Sequence, residues 1–187
     1  GGAASRVVVP GERVRRVEGE LGEEATLLAL AATAHHAVAQ GLPDLIVGHG
    51  VLGRLVARAT VALGGPAPVV WETNPARQDG AIGYAVAHPD TDDRHDYARI
   101  CDVSGDGDLL DTLIPRLAHG GEIVLAGFYA EPLSFAFPPA FLKEARLRVA
   151  AEWRRDDLAA VQALLAAGTL DLAEIGRASC RERVYTK

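Results

Sequence analysis

Gly48-His49-Gly50-Val51-Leu52-Gly53 sets three glycines at GxGxxG spacing directly after the apolar run Leu45-Ile46-Val47. At that spacing Gly48 permits a tight turn, and Gly50 lets a diphosphate approach bare backbone. Gly53 lets the following helix pack close to the strand. The helix opening at Val51 and Leu52 then offers unpaired N–H groups and partial positive charge to the same anion. His49 fills a variable position of the loop and could reach a phosphate. Glu72 lies 19 residues after Gly53 and follows Val69-Val70-Trp71. A carboxylate there is placed to bind ribose hydroxyls. It would repel a 2′-phosphate, so NAD is expected over NADP. Arg77 is the counterweight, because a guanidinium nearby could hold that phosphate.

Two further turns point at the same crevice. Asp102-Val103-Ser104-Gly105 ends one strand and Ala126-Gly127-Phe128-Tyr129 ends another. Ligands of open α/β sheets sit at such carboxyl ends, which puts Ser104 and Gly105 along a cofactor and Gly127 near a nicotinamide. Ordinary loop turns would read the same way. A glycine-rich turn that binds nothing, or an S-adenosylmethionine site with a similar loop and acid, also stays open.

These residues need a scaffold, and the chain reads as one. Residues 4–9 and 13–17 look like two short strands around Pro10-Gly11. An alanine- and leucine-rich helix runs from Glu23 to about Gln40, with acids at its positive end. Strand 45–47, helix 51–63, strand 68–71, a short strand 84–87, strand 98–103, helix 108–117, strand 121–127, strand 146–152 and helix 156–167 follow. Strands alternating with helices predict parallel βαβ units in an α/β, doubly wound Rossmann sheet.

Other residues attract less chemistry. His35 and His36 are adjacent on a helix, about 100° apart, so they are not expected to face one ligand. Cys101 sits in a strand and reads as a small buried hydrophobe. All four phenylalanines, Phe128, Phe135, Phe137 and Phe141, fall within 14 residues, beside Tyr129. They could wall a pocket for a large flat apolar substrate, but core or subunit-interface packing is the reading preferred. Pro138-Pro139 in this stretch suggests an edge strand.

The 187 residues are 49% hydrophobic and 24% charged, which excludes disorder as the main state. A net charge of -6 argues against a nucleic-acid partner, which would need a basic face. No unbroken apolar run of about 18 residues predicts a transmembrane segment. Two cysteines make neither a disulfide framework nor a four-cysteine zinc site. No targeting segment is read, so a cytoplasmic location is the expectation. The chain lacks methionine and opens directly on a strand-like run, which suggests that an upstream part is missing. Residues 174–187 read as a non-native tail resembling translated adaptor sequence.

The order strand–strand, long helix, GxGxxG domain, then Gly121-Glu122-Ile123-Val124-Leu125-Ala126-Gly127 resembles the medium-chain dehydrogenase/reductase superfamily. Longer matches narrow the resemblance to its bacteriochlorophyll-biosynthetic branch. They are Leu28 to Ala37, Leu42 to Gly50, Val69 to Thr73 and Lys143 to Trp153. The resemblance implies a GroES-like remnant at 1–22, a linking helix at 23–43 and a Rossmann NAD-binding domain at 44–173. It implies NAD-dependent oxidation of the 3-(1-hydroxyethyl) group of a bacteriochlorophyllide, a tetrapyrrole, to 3-acetyl. A fragment of this extent is expected to bind NAD weakly without turnover. Zinc-dependent members carry a cysteine four residues before a helix threonine. Ala29 stands before Thr33 here, so no metal site is expected. Thr33 is placed near a nicotinamide by position only, and no catalytic residue is assigned. A homodimer through Phe135 to Trp153 is implied. The alternatives are a zinc-free quinone or enoyl reductase, a non-catalytic NAD-sensing Rossmann protein, and a methyltransferase.

Overall fold

Six strands form one fully parallel sheet: β1 (Leu45–Val47), β2 (Val69–Trp71), β3 (Ala85–Ala87), β4 (Tyr97–Asp102), β5 (Leu117–Leu125) and β6 (Arg146–Val149). The computed structural model describes residues 5–11, 14–17 and 21–175. Strand order is β3-β2-β1-β4-β5-β6, so the chain reverses its direction of travel between β1 and β4. This is a doubly wound Rossmann sheet, whose ligand crevice opens at that reversal.

Burial on both faces explains why the central strands read as unbroken apolar runs. Ile46, Val70, Cys101 and Val124 point into one core, where they meet α1 (Leu28–Val38), α2 (Val51–Ala62) and α5 (Arg155–Ala166). Their neighbours Leu45, Val47, Trp71, Ile100, Ile123 and Leu125 point into the other, against α3 (Leu110–Leu113) and Ile114. Helix α2 is buried from Gly53 to Thr60, because it lies between α1 and the sheet. Among the described residues no helix is long and apolar enough to cross a membrane.

Several elements differ from expectation. Residues 5–11 and 14–17 form no strand, and every one of them is exposed. A strand persists only when a neighbour takes up its backbone groups, and valine content does not supply one. The predicted helix 108–117 is a 3-10 turn, four α-helical residues and a second 3-10 turn at Ile114–Arg116, with Pro115 interrupting it. Leu117 already belongs to β5, four residues earlier than expected, and β6 ends at Val149 rather than 152. Pro138-Pro139 marks no edge strand: the prolines open α4 (Phe137–Lys143). Proline suits a first helical turn, where its missing N–H would have no partner anyway. Ile175, read as part of the tail, is fully buried in the first core. Residues 176–187, the rest of that tail reading, lie outside the described residues.

Candidate functional site

Three strand ends converge at the crevice. Gly48 has φ +102°, a left-handed conformation that a side chain would strain, and a Cβ there would stand 3.3 Å from the Ser104 backbone. A Cβ on Gly53 would meet the Gly48 carbonyl oxygen at 1.9 Å, so only glycine lets α2 start this close to β1. A Cβ on Gly50 would meet nothing within 4 Å, and the loop backbone there faces open space. Helix α2 begins without a side-chain cap and without an acid in its first turn. The N–H groups at Val51 and Leu52 therefore have no intrahelical partner, which is the arrangement that receives an anion.

Glu72 reaches this loop from the end of β2. One carboxylate oxygen accepts the His49 N–H at 3.1 Å and the other accepts the Asn74 N–H at 2.8 Å. Gln78 donates to the Glu72 carbonyl. The carboxylate is thus held rigidly beside the turn, with acceptor capacity left for a sugar hydroxyl.

The side chain of His49 does not face the crevice, contrary to the phosphate-contact expectation. It is fully buried, with Nδ1 2.6 Å from the Arg77 carbonyl and Nε2 2.8 Å from the Tyr84 hydroxyl. A carbonyl only accepts, so Nδ1 carries the proton and Nε2 accepts from Tyr84. Burial holds the imidazole below its ordinary pKa. The Arg77 carbonyl opposes that shift and Arg54 adds to it. Arg54 donates to the carbonyls of His49, Arg77 and Asp79. Sequence reasoning missed this network. Its only linear signal is an arginine five residues after the histidine, and its partners come from 77–84.

On the other side of the reversal, Asp102 is buried at the end of β4 and accepts from the N–H and hydroxyl of Ser104. Burial pushes its carboxyl up, and the Ser104 bonds oppose that. Gly105 has φ +75°, and a Cβ on Gly127 would lie 2.9 Å from the Gly105 nitrogen. Tyr129 donates to the Asp102 carbonyl at 3.3 Å. Gly48, Ser104, Gly105 and Gly127 therefore form one continuous floor at the carboxyl ends of β1, β4 and β5.

Thr33 donates to the Ala29 carbonyl and lines a hollow with Trp153. Cys101 is buried, and its thiol is pushed up to about 12 by that burial, so it is no nucleophile at neutral pH. His35 and His36, expected to diverge, both reach Asp157 of α5: Nδ1 of each lies 2.8 and 2.9 Å from separate carboxylate oxygens. The two oxygens span the angular gap between adjacent helical positions. The same carboxylate accepts the Arg154 N–H at 2.7 Å, so it ties α1 to the start of α5. The phenylalanines are not core: Phe137 and Phe141 are 67% and 66% exposed and Phe128 is 89% exposed. Nor do Phe135, Phe137 and Phe141 wall the crevice. They border a groove with His119, near the start of β5 and away from its carboxyl end.

A glycine-bared turn, a helix N-terminus and a fixed carboxylate at a sheet reversal are the features by which Rossmann-fold domains receive a dinucleotide. Comparison with known proteins adds particulars. No protein-family model matches the chain. It is 58% identical over 175 residues to the 2-desacetyl-2-hydroxyethyl bacteriochlorophyllide A dehydrogenase of Rhodobacter capsulatus, which is 92% of this chain and 56% of that protein. It is 57% identical over 178 residues to the protein of that name from Cereibacter sphaeroides, at 94% and 56% coverage. The chain thus spans about half the length of the curated relatives it matches. Among solved structures, the short chain alcohol dehydrogenase (rspB) of Escherichia coli CFT073 with NADH superposes with TM-score 0.76 at 15% identity, covering 88% of this chain and 54% of that one. Acetophenone reductase of Geotrichum candidum with NAD gives 0.74 at 20% identity, covering 84% and 49%. A Sinorhizobium meliloti dehydrogenase bound to NADP gives 0.68 at 15%, covering 79% and 49%. These likenesses show the fold, and they include both nicotinamide cofactors.

Proposed function

We propose that the chain is the cofactor-binding part of an NAD-dependent alcohol dehydrogenase that oxidises the hydroxyethyl group of a bacteriochlorophyllide to acetyl. Residues 44–173 form its cofactor domain, 23–43 link that domain to a catalytic domain, and 1–22 belong to the latter. The observation that carries the cofactor is the Glu72 carboxylate, fixed by the His49 and Asn74 N–H groups beside the open backbone at Gly50. Gly48, Gly50, Gly53 and the α2 N–H groups at Val51 and Leu52 hold the diphosphate, and Glu72 binds the adenosine ribose. The backbone N–H of His49, unlike its side chain, contributes by orienting Glu72. Ser104, Gly105 and Gly127 floor the nicotinamide half. Bound NAD would supply the hydride acceptor. The identity of the two bacterial relatives supports the pigment as substrate.

Titration calorimetry of the chain with NAD and NADP tests the cofactor reading: NAD binds and NADP binds more weakly. Equal affinity for both would remove the role given to Glu72. With the complete protein, adding NAD to the hydroxyethyl pigment moves its absorption to the red, because an acetyl group extends the conjugation. A spectrum that stays put rejects the pigment as substrate. A homodimer through the free edge of β6 belongs to the same reading. Leu147 and Val149 of that strand are 39% and 74% exposed, and sedimentation of the complete protein decides it.

A further inference from the structure

The side chain of His49 takes no part in the contacts proposed for the cofactor, yet it is more deeply buried than Arg54, Glu72 or Tyr84 around it. It faces the connection from β2 to β3. Nδ1–H donates to the Arg77 carbonyl at 2.6 Å and Nε2 accepts from the Tyr84 hydroxyl at 2.8 Å, with the two rings edge to face at 5.5 Å. Arg54 of α2 closes on the same connection and donates to the carbonyls of Arg77 and Asp79. Gly80 has φ +80°, and a Cβ there would stand 2.6 Å from Nη1 of Arg54. The backbone of this connection therefore wraps tightly around the guanidinium.

The connection held in this way is the one that continues from Glu72. The Gln78 side chain donates to the Glu72 carbonyl, and the Asn74 N–H donates to the Glu72 carboxylate. The other carboxylate oxygen accepts the His49 N–H. One residue thus grips the acid from both sides: its main chain holds the carboxylate, and its side chain holds the segment that follows. Burial keeps the imidazole neutral, reinforced by Arg54 and Arg58 of α2 and opposed by the Arg77 carbonyl and the Glu72 carboxylate. Arg58 is itself buried and donates to the carbonyls of Asp171 and Ala173, while its Nε and Nη2 have no partner among the described residues. A proton added to Nε2 turns an acceptor into a donor against the Tyr84 hydroxyl. It also sets a third positive charge beside two guanidiniums and draws the Glu72 carboxylate toward the ring.

We propose that the neutral imidazole of His49 is a positioning residue for the adenosine half of the cofactor: it pins residues 77–84 beneath the glycine turn, and taking up a proton there loosens the hold of Glu72 on the ribose. The proposal rests on the reading of the crevice as an NAD site and adds a pH-dependent control of that site from behind the loop. The imidazole acts through Glu72 and the 77–84 segment and touches no part of the cofactor.

The test is calorimetric titration of the chain with NAD from pH 7.5 down to pH 5, with circular dichroism at each pH to establish that the chain is folded. Affinity falls about three- to tenfold over that range, and the slope stays below about one decade per pH unit, the limit for a single proton. At pH 6, heats measured in two buffers of unlike ionisation enthalpy show protons released on binding. His49→Ala binds NAD about tenfold more weakly at pH 7.5 and loses the pH slope. His49→Asn, whose amide N–H stands near the place of Nδ1–H, recovers part of that affinity and also shows no slope. Tighter binding at low pH would mean that the imidazolium attracts the diphosphate directly, and it overturns the proposal. So does an affinity of the parent chain that ignores pH, or a slope that survives in both variants, and either leaves the NAD reading standing. Failure of NAD to bind at every pH removes the cofactor reading itself.

Discussion

The two ends of the crevice are built differently. Around Gly48–Gly53 every polar group of His49, Arg54 and Glu72 named above has a fixed partner, and His49, Arg54 and Glu72 are 0%, 5% and 7% exposed. Past Gly127 the chain is open: Phe128 and Trp153 stand out, and the turn at Glu152 carries backbone strain. In the function proposed above, the first end is a prebuilt socket for a constant group, a diphosphate and a ribose. The other is a more exposed surface of aromatic and charged side chains. Rigidity is concentrated where the same anion must be bound every time.

The sharpest way to break this contrast is at the glycines. Gly53→Ala drives a methyl group into the Gly48 carbonyl and should cost ~3 kcal/mol or more in urea unfolding, with NAD binding lost as well. Gly50→Ala faces open space, so stability should change by under ~1 kcal/mol while NAD affinity falls, because the methyl group occupies the diphosphate hollow. If both variants behave alike, the socket is not selective in the way described.

Glu72→Ala comes next. Losing charge-assisted hydrogen bonds to a sugar should weaken NAD by about 10- to 100-fold in calorimetry. NADP, which gains from removal of the carboxylate, should weaken less or improve. A parallel loss for both cofactors would reassign Glu72 to bracing the loop.

A smaller effect separates the ends by pH. The folded chain holds His49 below its ordinary value of about 6.5, chiefly through burial. Below pH 6.5 the unfolded chain therefore takes up a proton that the folded chain resists. The stability present above pH 6.5 is lost as pH falls from there toward the folded value. Urea midpoints measured between pH 5 and 7.5 should show that slope, and His49→Gln should flatten it while lowering stability overall. Unchanged slopes would mean that His49 titrates freely.

The smallest effect is expected on the open surface. Phe137→Ser and Phe141→Ser should move the stability of the chain by no more than ~0.5 kcal/mol, since both rings are already two-thirds in water. A loss of several times that size would make α4 part of the core.

How much of this was legible in the linear chain differs between the ends for a physical reason. The glycine spacing, the apolar strand before it and the acid after the second strand depend on local backbone geometry, which neighbouring residues dictate. They identified the parallel sheet and singled out Gly48, Gly50, Gly53 and Glu72, which the structure brings together at the ends of β1 and β2. The histidines were misread because their partners are remote: Tyr84 and Arg77 for His49, and Asp157 for His35 and His36. Valines at 7–9, 14 and 17 have strand propensity, but pairing is a property of the neighbour. The prolines at 138 and 139 are equally compatible with an edge strand and with a helix start, and only packing chooses between them. Residue types and spacing thus determined which main-chain shapes were affordable here. The tertiary structure alone decided which side chains face water and which carboxylate meets which imidazole, because those depend on contacts more than a hundred residues apart.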